Sequence, residues 1–567
     1  MLLNTYLAAL AAATLAHSKP TSPSCRTLPG DLDWPDTPAW DQLNRTVGGR
    51  LIATRPIASV CHDPNYDEAA CNALRAGWVE PETHYETSYS PMYAFYANRS
   101  CDAFGDRTKP CEVGSYLSYA VNVSNARDIA RTIDFARRRN IRLIVRNTGH
   151  DWLGRSTGKG GLAVWTHNLK TIEKLDWESN EYTGPAFRVG AGVQGIEVQT
   201  AASAQGFVVV GGGCPSVGIA GGYTQGAGHG PLQTAFGMAA DQTLEFEAVT
   251  AGGKVVRASP SHNQDLYWAL SGGGAGSYAI VTSMTVRAHP DRRVSAVALS
   301  FSPSQQGVSN QTFRYLVNEF YRLLPSFLDG GLRVSFGFGA PVFNVQASGY
   351  NRTANEVQTI LSPLLSLLTQ RNITVPLRVV ENDKYVDTWK FLGDGGGSGE
   401  FWSTGGRLIP RAVLQSESRR AFMLDVWEDQ MAKGVTWGGI SFAGPQKTNI
   451  PNAVLPAWRE ANAMIILALP WDLEQNDAAW AKNQETQRFA TEVLDPQLDT
   501  VAPESGNYIN EGDFRRPNWK EAFYGVNYPR LLEIKQKWDP EGILYGRQSV
   551  GSDRWREAED GRLCRAS

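Results

Sequence analysis

The stretch GGGCPSVGIAGGYTQGAGHG, residues 211–230, decides how this chain is read. Nine of its twenty residues are glycine, too many for the interior of a regular helix or strand. Such a stretch brings the backbone close to a flat, bulky partner, where a Cβ would clash. It also holds Cys214, followed at once by Pro215, which stiffens what comes after. The chain has seven cysteines, so in an oxidising compartment at least one lacks an intramolecular partner. Cys214 is either a passive core thiol or a reactive one.

Working outward, two further glycine turns share the pattern. VRNTGHD (145–151) runs a strand into a turn that presents His150, and backbone N–H groups in such a turn can hold phosphate. DLYWALSGGGAG (265–276) leads into the strand Tyr278–Thr282. From residue 118 the chain alternates helix and strand. Ser124 is placed to cap a helix with the apolar face Ala126, Ile129, Ile133 and Ala136. Strands are expected at 141–145, 161–166, 186–189 and 207–210, with a short helix at 196–204. Residues 243–250 and 254–258 read as a hairpin. Gly190-x-Gly192-x-x-Gly195 imitates the dinucleotide fingerprint, but no acid follows about 20 positions later. It reads instead as a close-packed strand-to-helix turn.

Residues 1–18 form a short apolar run ending in small residues, read as a signal peptide. Asn44, Asn98, Asn122, Asn310, Asn351 and Asn372 begin N-x-S/T sequons. Together they predict a secreted, extracellular glycoprotein. Cys61 and Cys71, then Cys101 and Cys111, share a ten-residue spacing, and Cys25 and Cys564 sit near opposite ends. The expected disulfides are 61–71, 101–111 and 25–564, which leaves Cys214 over. Net charge is −3, with 54 basic and 57 acidic residues. Neither a nucleic acid nor an anionic membrane is therefore an expected partner. The triplet Arg137–Arg139 reads as the basic end of a helix. No metal-ligand spacing is read. Beyond residue 290 come longer polar helices, a glycine-rich loop at 391–406, and the aromatics Trp389, Phe391, Phe401, Trp402, Trp437 and Trp471.

RNTGHD, CPSVGIAGG, DLYWALSGGGAG and the tail YGVNYPRLLEIKQKWDPEGILYGRQSV (524–550), in that order, resemble the berberine-bridge-enzyme-like flavoprotein oxidases, above all the secreted fungal ones. These belong to the vanillyl-alcohol-oxidase superfamily. The resemblance covers residues 115–290 and 500–552. It implies an α+β fold: a two-part FAD-binding domain of the PCMH type, and an α+β substrate domain whose antiparallel sheet is covered by helices. The implied division is 1–18 signal peptide, 19–114 disulfide-pinned extension, 115–290 FAD-binding domain and 291–500 substrate domain. Residues 501–552 return to the FAD domain and 553–567 form a tail.

By the same resemblance, His150 occupies the position that bonds the flavin 8α-methyl and Cys214 the position that bonds C6, so FAD is expected to be held covalently twice. Arg146, Asn147, Thr148, Gly149 and Asp151 match the pyrophosphate loop. Gly218, Gly221, Gly222 and Ile280 match segments lining adenosine and pyrophosphate. Asn527 and Tyr528 match a return to the ring edge, and Val217 falls at the oxygen gate, where valine resembles oxidases. His229 stands where relatives often carry tyrosine. Hydride transfer also needs a base for the substrate proton. Sugar-oxidising relatives place it in Tyr-x-Asn-Tyr, whereas this chain reads Tyr508-Ile-Asn-Glu511. Glu511 and Tyr508 are the candidates, with a plain surface carboxylate as the other reading of Glu511. Residues 438–443 supply no acid. The implied enzyme oxidises an alcohol, carbohydrate or secondary metabolite and reduces O2 to H2O2; a monomer is the expectation, with the sequence itself leaving the oligomeric state open. A pathway dehydrogenase or cyclising enzyme is one alternative. A catalytically silent flavin-binding interaction protein is the other.

Overall fold

The computed structural model describes residues 25–306, 308–339, 342–392, 401–443, 450–474 and 476–566. The expected signal peptide and residues 393–400 of the glycine-rich loop lie outside the described residues, as do the side chains of Phe401 and Trp402. The fold is α+β and rests on three main sheets.

The first sheet runs Leu51–Ala53, Tyr119–Asn122, Leu162–Trp165, Leu143–Arg146. The last three strands are parallel, as an intervening helix requires. That helix, Ala126–Arg138, buries Ile129, Ile133 and Ala136. Its cap is Asn125, not the expected Ser124. Asn125 has extended backbone, and its side-chain oxygen accepts from the N–H groups of Arg127 and Asp128. Ser124, one residue further out, donates to the Asp128 carboxylate instead. The second sheet, ordered Ile172–Glu178, Thr183–Gly190, Ala279–Arg287, Thr243–Thr250, Val255–Ala258, is antiparallel throughout. The GxGxxG segment is the tight turn from Thr183–Gly190 into the helix Gly195–Ser203. A Cβ at Gly192 would lie 1.9 Å from the His167 carbonyl, so only glycine fits.

The third sheet has seven antiparallel strands, from Arg378–Asn382 at one edge to Phe401–Pro410 at the other. The helices Asn310–Asp329, Ala354–Gln370 and Glu417–Ala432 build a core against it around Leu316, Phe320, Leu361 and Trp427. Ser335, Ile440 and Ile466 of the same sheet line the cavity described below.

The chain ends close the structure. The Cys61–Cys71, Cys101–Cys111 and Cys25–Cys564 disulfides are all present. Leu544 bridges in parallel to Leu143 of the first sheet. Buried Lys535 donates to the carbonyls of Ser277 and Leu544 and to Asp539. Among the described residues, no helix is long and apolar enough to cross a membrane.

Candidate active site

A cavity of about 510 Å³ opens where the glycine turns, the seven-stranded sheet and the segments 508–511 and 545–546 meet. Its wall includes Asn147, Thr148, Gly149, His150 and Asp151 from the first turn. Cys214, Val217, Gly218, Gly221 and Gly222 come from the 211–230 stretch, and Tyr508 and Glu511 from the C-terminal segment. With His229, thirteen of the residues singled out from sequence thus share one wall.

The His150 turn is fixed by its glycine. Gly149 has φ +84°, and a Cβ there would come within 2.7 Å of Arg146 Nη2. Asp151 caps the turn, its carboxylate accepting from the N–H groups of Leu153, Arg155 and Ser156. Burial, with the positive charge of Arg146 adding to it, lowers the His150 pKa to about 4, so the ring is neutral. Its Nε2 lies 2.8 Å from the Ser216 hydroxyl, which also lies 3.4 Å from Cys214 Sγ. Cys214 is the only free cysteine among the described residues.

At the other chemical centre of the cavity, His229 Nε2 lies 2.8 Å from Glu511 Oε1. The imidazole meets the Tyr508 ring edge-on at 5.0 Å between centroids and stacks on Trp458 at 6.1 Å. Tyr508 accepts from Asn510 Nδ2 at 2.7 Å. Burial first, then the Glu511 charge, raise its pKa well above the ordinary phenol range. Tyr508 therefore keeps its proton.

Four residues expected at the cofactor do not line the cavity. Arg146 is fully buried and donates to the carbonyls of His84, Thr87 and Ser90, which ties the N-terminal extension to the first sheet. Ile280 packs in the core beside Leu143 and Val249, and strand alternation puts its neighbours Ala279 and Val281 on the cavity instead. Asn527 donates to the carbonyls of Ala453 and Val454, and Tyr528 to Asp553. Sequence reasoning missed other wall residues: Tyr93 and Trp152, Arg155, Tyr545, and Phe336 from the sheet. Phe336 lies across Gly439, where a Cβ would overlap its ring at 2.1 Å. Only that side-by-side pairing of strands, invisible in sequence, gives the glycine its purpose.

Buried atoms in the wall lack protein partners: Asn147 Oδ1, Tyr223 Oη, Gln225 Oε1, His229 Nδ1 and Glu511 Oε2. Unpaired buried polar groups are costly. A large ligand with polar edges would satisfy them, and Arg155 is the only Lys or Arg among the described wall residues. The wall thus fits FAD, with its aromatic ring system and diphosphate.

A family model described as an FAD binding domain matches residues 117–259, and one described as berberine and berberine like matches residues 507–551. The chain is 42% identical over 552 residues to the FAD-linked oxidoreductase ZEB1 of Gibberella zeae, covering 96% of both chains. The crystal structure of the VAO-type flavoprotein MtVAO615 from Myceliophthora thermophila is 40% identical and superposes with a TM-score of 0.92, covering 96% of this chain and all of that one. A glucooligosaccharide oxidase from Acremonium strictum, described with a 6-S-cysteinyl, 8α-N1-histidyl FAD, shares the fold at 17% identity and a TM-score of 0.63, covering 85% of this chain and 99% of that one.

Proposed function

The chain belongs to the berberine-bridge-enzyme-like FAD-linked oxidoreductases of the vanillyl-alcohol-oxidase superfamily, and we propose that it is a secreted oxidase that carries FAD on both His150 and Cys214 and passes electrons from an alcohol to O2, giving H2O2. Bound FAD supplies the two-electron acceptor for a hydride. The protein's own task is to take the hydroxyl proton as the C–H bond is cleaved.

The His229–Glu511 contact of 2.8 Å, in the same wall as His150 and Cys214, carries this reading. The Glu511 carboxylate accepts the Nε2–H of His229, which fixes the tautomer and leaves Nδ1 bare. Nδ1 and Glu511 Oε2 are the two atoms of the pair without a protein partner. They are the acceptors offered to a substrate hydroxyl. Tyr508, held protonated by burial and by Glu511, acts as a hydrogen-bond donor to the substrate oxygen. Phe336, Ile440 and Ile466 give the sheet side of the cavity an apolar surface. A neutral hydroxyl compound suits it better than a carboxylate or phosphate.

The test has two arms. The secreted protein is denatured, freed of unbound ligand and mapped by peptide mass. Flavin on neither His150 nor Cys214 defeats the covalent assignment. A panel of sugars and other alcohols is then assayed for peroxide, and substrate-dependent flavin reduction without peroxide defeats the oxidase assignment.

A further inference from the structure

One side chain touches both expected anchors. The Ser216 hydroxyl is 2.8 Å from His150 Nε2 and 3.4 Å from Cys214 Sγ, and the residue is 5% exposed. Its main chain is held on three sides by the start of the helix Gly195–Ser203. The carbonyl of Ser216 accepts from Gln194 Nε2, and those of Pro215 and Val217 accept from the N–H groups of Ile196 and Gly195. Gln194 is fixed in turn, its N–H donating to Glu197. The hydroxyl is therefore set in place by the close-packed turn that imitates a dinucleotide fingerprint.

A serine hydroxyl gives one hydrogen and accepts others. Neutral His150 carries one ring proton. If Nε2–H donates to Ser216 Oγ, the Ser216 O–H is free to donate to the sulfur, and Nδ1 keeps its lone pair. Both anchors are then primed by one residue: a bare ring nitrogen on His150, and on Cys214 the hydrogen bond that a thiolate accepts. The reverse polarity would protonate Nδ1 and leave it no nucleophile.

We propose that Ser216 is the positioning residue for cofactor attachment, selecting Nδ1 of His150 and Sγ of Cys214 as the atoms that bond the flavin. This rests on the doubly linked FAD proposed above. Each linkage replaces one N–H or S–H bond and one cofactor C–H bond by a C–N or C–S bond. Two protons leave, the histidine one through Ser216, and two electrons stay on the ring until O2 removes them as H2O2.

The test compares wild type, Ser216→Ala and Ser216→Thr, expressed and harvested together at early and late times. Peptide mass mapping gives the fraction linked at each anchor, and the isolated histidyl-flavin peptide gives the linked nitrogen by NMR. In Ser216→Ala the early doubly linked fraction should fall roughly tenfold, the scale on which partners that orient a ligating histidine act. Ser216→Thr, which keeps the hydroxyl, should restore it, with melting temperature and total flavin unchanged in all three. Wild type without either linkage defeats the parent reading. Wild type linked twice, with Ser216→Ala equally fast, overturns the role of Ser216 alone. A wild-type linkage through Nε2 overturns the tautomer assignment. Equal loss in Ser216→Ala and Ser216→Thr, with lower melting temperatures, shows a packing role instead and also overturns it.

Discussion

Nε2 of His229 lies 2.8 Å from Oε1 of Glu511, across a sequence separation of 282 residues. The contact joins the glycine-rich stretch to the C-terminal segment inside one cavity. It gives each partner what it lacks alone: His229 gains a fixed tautomer, and Glu511 gains a donor in a wall with few other charges. Each retains one unpartnered atom, Nδ1 and Oε2.

From this pair, Glu511→Gln should slow anaerobic flavin reduction by about 10²- to 10⁴-fold, the usual contribution of a positioned base. His229→Asn should do the same. Because the two act as a unit, the double variant should be little worse than the poorer single one. Flavin content by absorbance should match wild type in all three. Reduction at the wild-type rate in Glu511→Gln would remove the pair from the chemistry.

Tyr508→Phe should behave differently. A phenol that keeps its proton contributes one hydrogen bond, about 0.5–1.5 kcal/mol, so reduction should slow about tenfold or less. The pH profile should keep its shape. A thousandfold loss, or the disappearance of one limb of the profile, would make Tyr508 the base.

The difference between what was legible and what was not is physical. His150 and Cys214 stood out because glycine-rich turns constrain the backbone locally, and the sequence carries that constraint on its face. Arg146 and Ile280 occupy the right segments, but which way a side chain points depends on the pleat and on what packs behind it. Arg146 turns inward to the carbonyls of His84, Thr87 and Ser90. Those residues belong to an extension with little periodicity to read. The pairing of His229 with Glu511, the reach of Tyr93 into the cavity and the double contact of Ser216 are tertiary facts. No local propensity encodes them. The GxGxxG segment at 190–195 lacks the acid of a dinucleotide site, yet only the structure shows that its helix start holds the main chain around Ser216.

Stability of the segment that carries Tyr508 and Glu511 should depend on Arg516. Its buried guanidinium bonds Asp495 and Asp499, and Arg407 reaches Asp499 at 2.8 Å while donating to the Ala502 carbonyl. Burial pushes the Asp495 carboxyl up, so it depends on this partner. Arg516→Met should cost about 3–5 kcal/mol, as removal of one member of a buried ion pair does. Urea unfolding midpoints measure it. Adding Asp495→Asn should recover part of the loss, since it removes the stranded charge. An additive double variant would contradict the pairing.

His84 supplies a pH prediction. It is fully buried between Ser90 and the Trp78 carbonyl, and burial lowers its pKa from 6.5 to about 4. Above pH 6.5 folded and unfolded chains both hold the ring neutral, and its stabilising contribution is complete. As pH falls from 6.5 towards 4, the unfolded chain takes a proton that the folded one refuses, so stability is lost across that window. Wild type should lose up to about 1.4 kcal/mol per pH unit more than His84→Gln there. Parallel curves of unfolding free energy against pH would show that His84 already titrates normally in the fold.

Val217 tests the oxygen half of the reaction separately. It lines the cavity three residues after Cys214, and its carbonyl is fixed by the Gly195 N–H at 2.9 Å. Its backbone therefore has little freedom to make room for a larger side chain. Val217→Leu adds one methylene facing the cofactor space. A methylene in a tight site is worth about 1–3 kcal/mol, or 10- to 200-fold. If O2 approaches past this residue, flavin reduced anaerobically by substrate should reoxidise slower by that factor on mixing with oxygenated buffer. The preceding reduction should be nearly unchanged, because the proton acceptors proposed for it lie on His229 and Glu511. Equal slowing of both halves would mean that Val217 merely packs the site, and unchanged reoxidation would mean that O2 enters elsewhere.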